Sequence, residues 1–116
     1  MKIEEIELDH SCGLKIDIPS LSRESFLKEF ETIKLAIFAW AKKHGAKAST
    51  LYFTISAPNS MDARLALGTI LMEHKGSGPL SEVLRRLAIT VYSTVAGTTE
   101  TFIATTISGE FVVSML

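Results

Sequence analysis

The segment 22–44, SRESFLKEFETIKLAIFAWAKKH, constrains the fold more than any other part of the chain. Its apolar residues recur every three or four positions, and with His44 at the end they have the spacing of one helical face: Phe26, Phe30, Ile33, Ile37, Ala41 and His44. Ser22 is a good N-cap residue, and basic residues followed by Gly45 close the other end. The sequence therefore predicts a long amphipathic helix that lies on a sheet.

Two apolar segments need more shielding from solvent than a single sheet provides. Residues 35–41 are apolar on every side of the predicted helix, and such a helix is normally covered on more than one face. Residues 111–116, FVVSML, would make an aggregation-prone strand if they formed a bare sheet edge. These segments predict that the chain forms a homodimer or a larger closed oligomer.

The composition supports one domain with an apolar excess. A chain of 116 residues is long enough for a single core, so we expect residues 1–116 to form one α+β domain. Hydrophobic residues make up 47%, somewhat more than a small monomer needs, and a hidden interface would explain the excess.

Charge and cysteine content exclude several classes of protein. A net charge of −1 argues against a general nucleic-acid binder, which needs a basic stripe. One cysteine leaves no internal disulfide, and the acidic start MKIEEIELD is unlike a signal peptide. The apolar runs are too short or too interrupted to span a membrane. We therefore expect a cytoplasmic protein without nucleic-acid, membrane or cofactor partners.

Alternating apolar and polar residues predict five strands. Residues 2–9 alternate imperfectly and 14–18 cleanly, which predicts a hairpin around residues 10–13. Residues 49–57 give the clearest strand in the chain. Residues 100–107 and 110–116 flank a Ser-Gly turn signal, so they predict a terminal hairpin.

Two segments allow both helix and strand. Residues 64–74 alternate like a strand, and Gly68 disfavours a helix, although most of their residues favour one. We interpret them as a strand. Residues 80–95 have helical spacing, whereas 89–95 are rich in strand-forming residues. We interpret them as one helix and keep a short helix followed by a strand as the alternative.

The resulting order is ββαββαββ. Its inner part reads βαββαβ, the order of a ferredoxin-like core, with an added strand at each end. We therefore predict an antiparallel sheet with two helices on one face. The alternative has residues 61–75 helical and residues 87–95 as a strand.

The loop 73–79 is the first candidate site. Its glycines let backbone amides converge, and the start of a following helix would add positive partial charge. An ordinary flexible connection explains the same residues. If a small-molecule site exists, we expect it to bind an anionic group, a phosphate or a carboxylate, through these residues: His74, Lys75, Gly76, Ser77, Gly78 and Arg85.

Two further segments are weaker candidates. In the turn 10–13, His10 lies two residues from Cys12 and could activate its thiol, although a bystander cysteine in a turn is the simpler interpretation. Asp62 and Arg64 in segment 59–64 could orient a polar ligand, or could simply point to water. The three histidines and one cysteine show no metal-ligand spacing.

Two function classes follow from these observations. The first is a non-catalytic, homo-oligomeric binding or interaction module, which the apolar excess favours. The alternative is a small enzyme or ligand-binding protein that holds an anionic small molecule at the 73–79 loop.

Overall fold

The computed structural model of the protein describes residues 1–58, 60–75, 80–95, 98–107 and 110–115. In these residues the chain forms six strands, three α-helices and a 3₁₀ turn at Gly45–Lys47. In chain order the elements are β1 (Lys2–Glu7), β2 (Cys12–Ile18), α1 (Arg23–His44), β3 (Ala48–Ala57), α2 (Ser60–Lys75), α3 (Ser81–Arg85), β4 (Ala88–Val95), β5 (Thr98–Ile107) and β6 (Glu110–Met115).

The strands form one mixed sheet in the order β1-β2-β3-β4-β5-β6. β2, β3 and β4 are parallel to one another, whereas β1, β5 and β6 pair antiparallel with their neighbours. The predicted α+β class is confirmed. The purely antiparallel sheet is wrong and the ββαββαββ order is not confirmed, because helices rather than a strand connect β3 to β4.

The two parallel connections place the main helices on the same side of the sheet. α1 joins β2 to β3, and α2 with α3 joins β3 to β4. Parallel crossovers are right-handed almost without exception, so two that step the same way across a sheet cover the same face. α1 and α2 accordingly contact the parallel strands and each other.

The core lies between these helices and the parallel strands. Alternate strand residues are buried: Leu14, Ile16 and Ile18 of β2, Leu51, Phe53 and Ile55 of β3, and Ile89, Val91 and Ser93 of β4. The residues between them are half-buried or exposed, and most are polar. This pattern leaves a polar face on the side away from the helices.

The predicted long helix is confirmed as α1. Ser22 is its N-cap: the Ser25 amide donates to the Ser22 hydroxyl at 3.2 Å, and the Ser22 amide donates to the Ser25 hydroxyl at 3.1 Å. Gly45 follows the helix with φ 58°, a left-handed conformation that glycine adopts without strain. The segment predicted to be apolar all round is only partly covered, since Leu35 is 70% exposed.

Residues 64–74 are helical, not a strand, so the alternative interpretation is correct here. Ala63, Ala66 and Ile70 are buried in α2 at helical spacing. Gly68 costs about 1 kcal/mol relative to alanine in a helix. Burying one side chain as large as that of Ile70 offsets this, since it contributes about 1.5–3 kcal/mol.

Residues 80–95 are not one helix. α3 ends at Arg85, and β4 pairs with β3 over its whole length, from Ala88 opposite Thr50 to Val95 opposite Ala57. The strand-forming composition of this segment therefore outweighs its helical spacing, because a parallel neighbour is available to pair with it.

The five remaining predicted strands are confirmed. β1 and β2 form the first hairpin, β3 is the strand predicted at residues 49–57, and β5 and β6 form the terminal hairpin. Ile107 pairs with Glu110 next to its turn, whose residues 108–109 lie outside the described part of the chain.

Candidate functional site

The predicted anion-binding loop follows the end of α2. His74 and Lys75 are the last two residues of α2, and Arg85 is the last residue of α3. Gly76, Ser77 and Gly78 lie outside the described residues. The site therefore stays a prediction.

The helix expected to support that site is much shorter than predicted. α3 contains five residues, and its N-cap Leu80 makes no side-chain capping bond. A helix this short has a weak dipole, and the preceding α2 presents its partly negative C-terminal end to the loop. The local field thus favours an anion less than the sequence suggested.

The turn between β1 and β2 is held to the sheet by hydrogen bonds. The Leu8 amide donates to the Ser11 carbonyl oxygen at 2.9 Å and closes the turn. The Ser49 hydroxyl on β3 donates to the Ser11 hydroxyl at 3.0 Å and lies 3.3 Å from the Cys12 carbonyl oxygen. The turn that contains His10 and Cys12 is therefore fixed in place.

This turn borders a cavity of about 360 Å³, lined by Glu7, Leu8, Asp9, His10, Ser11, Cys12 and Lys47. Two carboxylates and one ammonium make its lining polar, and Cys12 is half-buried there. Among the described hydrogen bonds, none joins Cys12 Sγ to His10, which is the contact that thiol activation requires. No three His, Cys, Asp or Glu side chains in the described residues are placed to share a metal ion.

The segment 59–64 begins a helix instead of forming an open turn. α2 starts at Ser60, and Asp62 lies in its first turn, where the helix dipole favours negative charge. Arg64 is exposed on the same helix. Asn59 lies outside the described residues, so the structure brings together only part of this candidate.

An ionic cluster that the sequence did not predict joins α1 to β1. Lys43 Nζ donates to Glu5 Oε2 at 3.1 Å, and His44 Nε2 lies 3.1 Å from Glu5 Oε1. Hydrogen bonds from Lys43, which has the larger effect, and from His44 hold the pKa of the Glu5 carboxyl below its ordinary value of 4.5. The cluster ties the C-terminal end of the long helix to an edge strand.

The two edges of the sheet differ in charge. β1, with sequence KIEEIE, carries four charged residues, and charge is a common protection of an edge strand. β6, with sequence EFVVSM, carries one. In the described part of the chain β6 pairs with β5 alone, so its other side is an edge.

Large apolar side chains are also exposed on the helices. Leu27 and Leu35 of α1 are 56% and 70% exposed, and Met61 and Met72 of α2 are 72% and 70% exposed. Helical spacing in the sequence groups both methionines on one face, opposite Ala63 and Ala66, but only the structure shows which of these faces is exposed. The strand interpretation of this segment concealed that grouping.

None of the described helices is long and apolar enough to cross a membrane. Comparisons with protein-family models, with curated proteins and with solved structures found no match for this chain.

Proposed function

We propose that the protein is a non-catalytic, homo-oligomeric interaction module of the cytoplasm that assembles through β6. The observation that carries this function is the contrast between its two edge strands. β1 has charges along its length, whereas Glu110 is the single charged residue of β6. An apolar edge strand offers unpaired backbone groups to another strand, and a second copy supplies one of matching length.

The pairing we propose is antiparallel, about a twofold axis beside β6. Each strand then donates and accepts backbone hydrogen bonds with its copy, and the two sheets become continuous. β5 and β6 already pair from Phe102 opposite Met115 to Ile107 opposite Glu110, so β6 is held in an extended conformation ready to pair. Pre-ordering of the strand lowers the conformational entropy that association loses.

A charge introduced on β6 tests this assembly. Ser114 pairs with Ile103 of β5, and Ile103 pairs with half-buried Thr90 of β4. Ser114→Lys therefore does not change a position that is in register with buried Ile89. The substitution gives each copy a lysine on the edge that has to pair, and lysine on an edge strand opposes edge-to-edge association, so we expect dimer affinity to fall by about tenfold or more.

Multi-angle light scattering across micromolar concentrations measures the outcome. The wild-type protein should have at least twice the chain mass of 12.7 kDa, and Ser114→Lys should have a lower mass at the same concentration. Glu4→Lys is the matched control, because it places the same charge on exposed residue Glu4 of the opposite edge and should leave the mass unchanged. A wild-type monomer at these concentrations would refute the proposed function.

A further inference from the structure

The side of α2 that faces away from the core carries an apolar stripe. Ala63, Ala66 and Ile70 are the buried residues of the helix. Helical spacing places four others on the opposite side: Met61, Leu65, Gly68 and Met72, which we call the outer stripe. Both methionines are at least 70% exposed, so the chain's own core covers neither.

Gly68, in the middle of the outer stripe, is not required by the packing of the chain itself. Apart from its chain neighbours and the backbone of its own helix, a Cβ built at Gly68 would meet no heavy atom of the described residues within 4 Å. Glycine is less favourable than alanine inside a helix, so the fold alone would favour alanine here. A second helix crossing this point would benefit from glycine, because the absence of a side chain lets the two backbones approach closely.

The spacing of the outer stripe is the same in both directions. Its members are separated by 4, 3 and 4 residues, which is the knobs-into-holes spacing of helix pairs. A second α2 packed antiparallel about a twofold axis would set Leu65 against the partner's Gly68. The same axis would set Met61 against the partner's Met72. Each large side chain thus meets either the gap at glycine or a flexible methionine, which fills irregular space.

We propose that a second copy of this chain packs its α2 antiparallel across the outer stripe, in an interface separate from β6. It shares with the proposed function the premise that the chain self-associates. The second copy is the occupant because the stripe complements itself about a twofold axis. With both interfaces in use, the protein forms assemblies larger than a dimer.

Cysteine cross-linking tests the direction and register of this pairing. Met61→Cys and Met72→Cys are each made with Cys12→Ser, which removes the native thiol. In an antiparallel pair, the two copies of position 61 are separated by about 16 Å along the helix axis, too far for a disulfide. Position 61 of one copy, however, faces position 72 of the other.

Oxidation should therefore produce a cross-linked dimer when the two cysteine proteins are mixed, and little when either is oxidised alone. Cross-linking of each protein alone would indicate a parallel pair and would overturn the proposed arrangement. A lack of cross-linking in the mixture would overturn the interface itself.

Gly68→Ala separates association from folding, because its two expected effects have opposite signs. The added methyl group should raise the thermal midpoint at low protein concentration, where the chain is dissociated. It should also weaken association by about tenfold or more, since it enters the twofold interface twice. An unchanged association constant would refute a role for Gly68.

Met72→Ser and Leu27→Ser form a matched pair. Both replace an exposed apolar side chain on a helix, but only Met72 lies in the outer stripe. Met72→Ser should weaken association by about tenfold or more, and Leu27→Ser should leave it unchanged. Equal effects of the two substitutions would indicate nonspecific hydrophobic association and would overturn the specific interface.

The two interfaces fail independently. If Ser114→Lys lowers the mass but the cysteine pair does not cross-link, the β6 interface stands and the α2 interface is rejected. If the pair cross-links in the Ser114→Lys background and that substitution does not alter the mass, the reverse holds.

Discussion

Removal of the Ser93 hydroxyl is expected to stabilise the protein. Ser93 is 4% exposed and lies on the core side of β4, in register with fully buried Ile55. In the described part of the structure its Oγ has no hydrogen-bond partner. A buried hydroxyl without a partner loses its bonds to water and gains none, which costs about 1–3 kcal/mol.

Two smaller effects oppose this gain when Ser93 becomes alanine. Strand propensity differs between residue types by up to about 1 kcal/mol, and alanine is a weaker strand former. The vacated volume is that of one oxygen atom, so the cavity penalty is small. We expect Ser93→Ala to raise the free energy of unfolding by about 1 kcal/mol, and the thermal midpoint by about 4 °C.

Urea unfolding at one fixed protein concentration measures the change, because self-association would make stability depend on concentration. Ser56→Ala is the matched control. Ser56 lies on the neighbouring strand β3, but it is half-buried and belongs to the face of the sheet opposite to that of Ser93. Its substitution should change stability by no more than about 0.5 kcal/mol. Destabilisation of Ser93→Ala by about 1 kcal/mol would show that the hydroxyl has a partner and would refute the reasoning.

Two further predictions concern charged groups. NMR titration should give Glu5 a pKa below 4.5, and Lys43→Ala should raise it, because the Lys43 hydrogen bond is the main cause of the shift. The lowered pKa means that Glu5 contributes stability above pH 4.5, which is lost as the pH falls through the folded-state value; a pKa of 4.5 or higher would contradict this. A thermal-shift screen against nucleotides, CoA derivatives and sugar phosphates tests the 73–79 loop. For any anionic ligand found, Lys75→Ala should weaken binding by about tenfold or more and Lys15→Ala should not, and equal affinities would reject the loop.

Local pattern was enough to predict the elements whose signals agree. In α1 the apolar spacing, the Ser22 cap and the closing Gly45 all indicate the same helix, and the structure contains it. The strand β3 and both hairpins likewise combine alternation with turn residues at their ends. Where propensity and periodicity favour the same secondary structure, tertiary contacts seldom change it.

Tertiary structure decided the segments whose signals conflict. Residues 60–75 form a helix despite their strand-like alternation, because only a helix buries Ala63, Ala66 and Ile70 together on one face. Residues 88–95 form a strand despite their helical spacing, because β3 pairs with β4 in parallel along the whole length of β4. With α2 as a helix and β4 as a strand, the crossover through α2 makes β3 and β4 parallel, so these two local errors produced the wrong prediction of a purely antiparallel sheet.

The sequence by itself determined α1, β3, the two hairpins and the apolar excess that led us to propose self-association. Only the tertiary structure joined Glu5 to Lys43 and His44, which are 38 and 39 residues away along the chain. It alone also showed that Met61 and Met72 are exposed, because exposure depends on which side of α2 the sheet covers. Local sequence sets the conformation of each segment, whereas the faces that remain free depend on how the segments pack together.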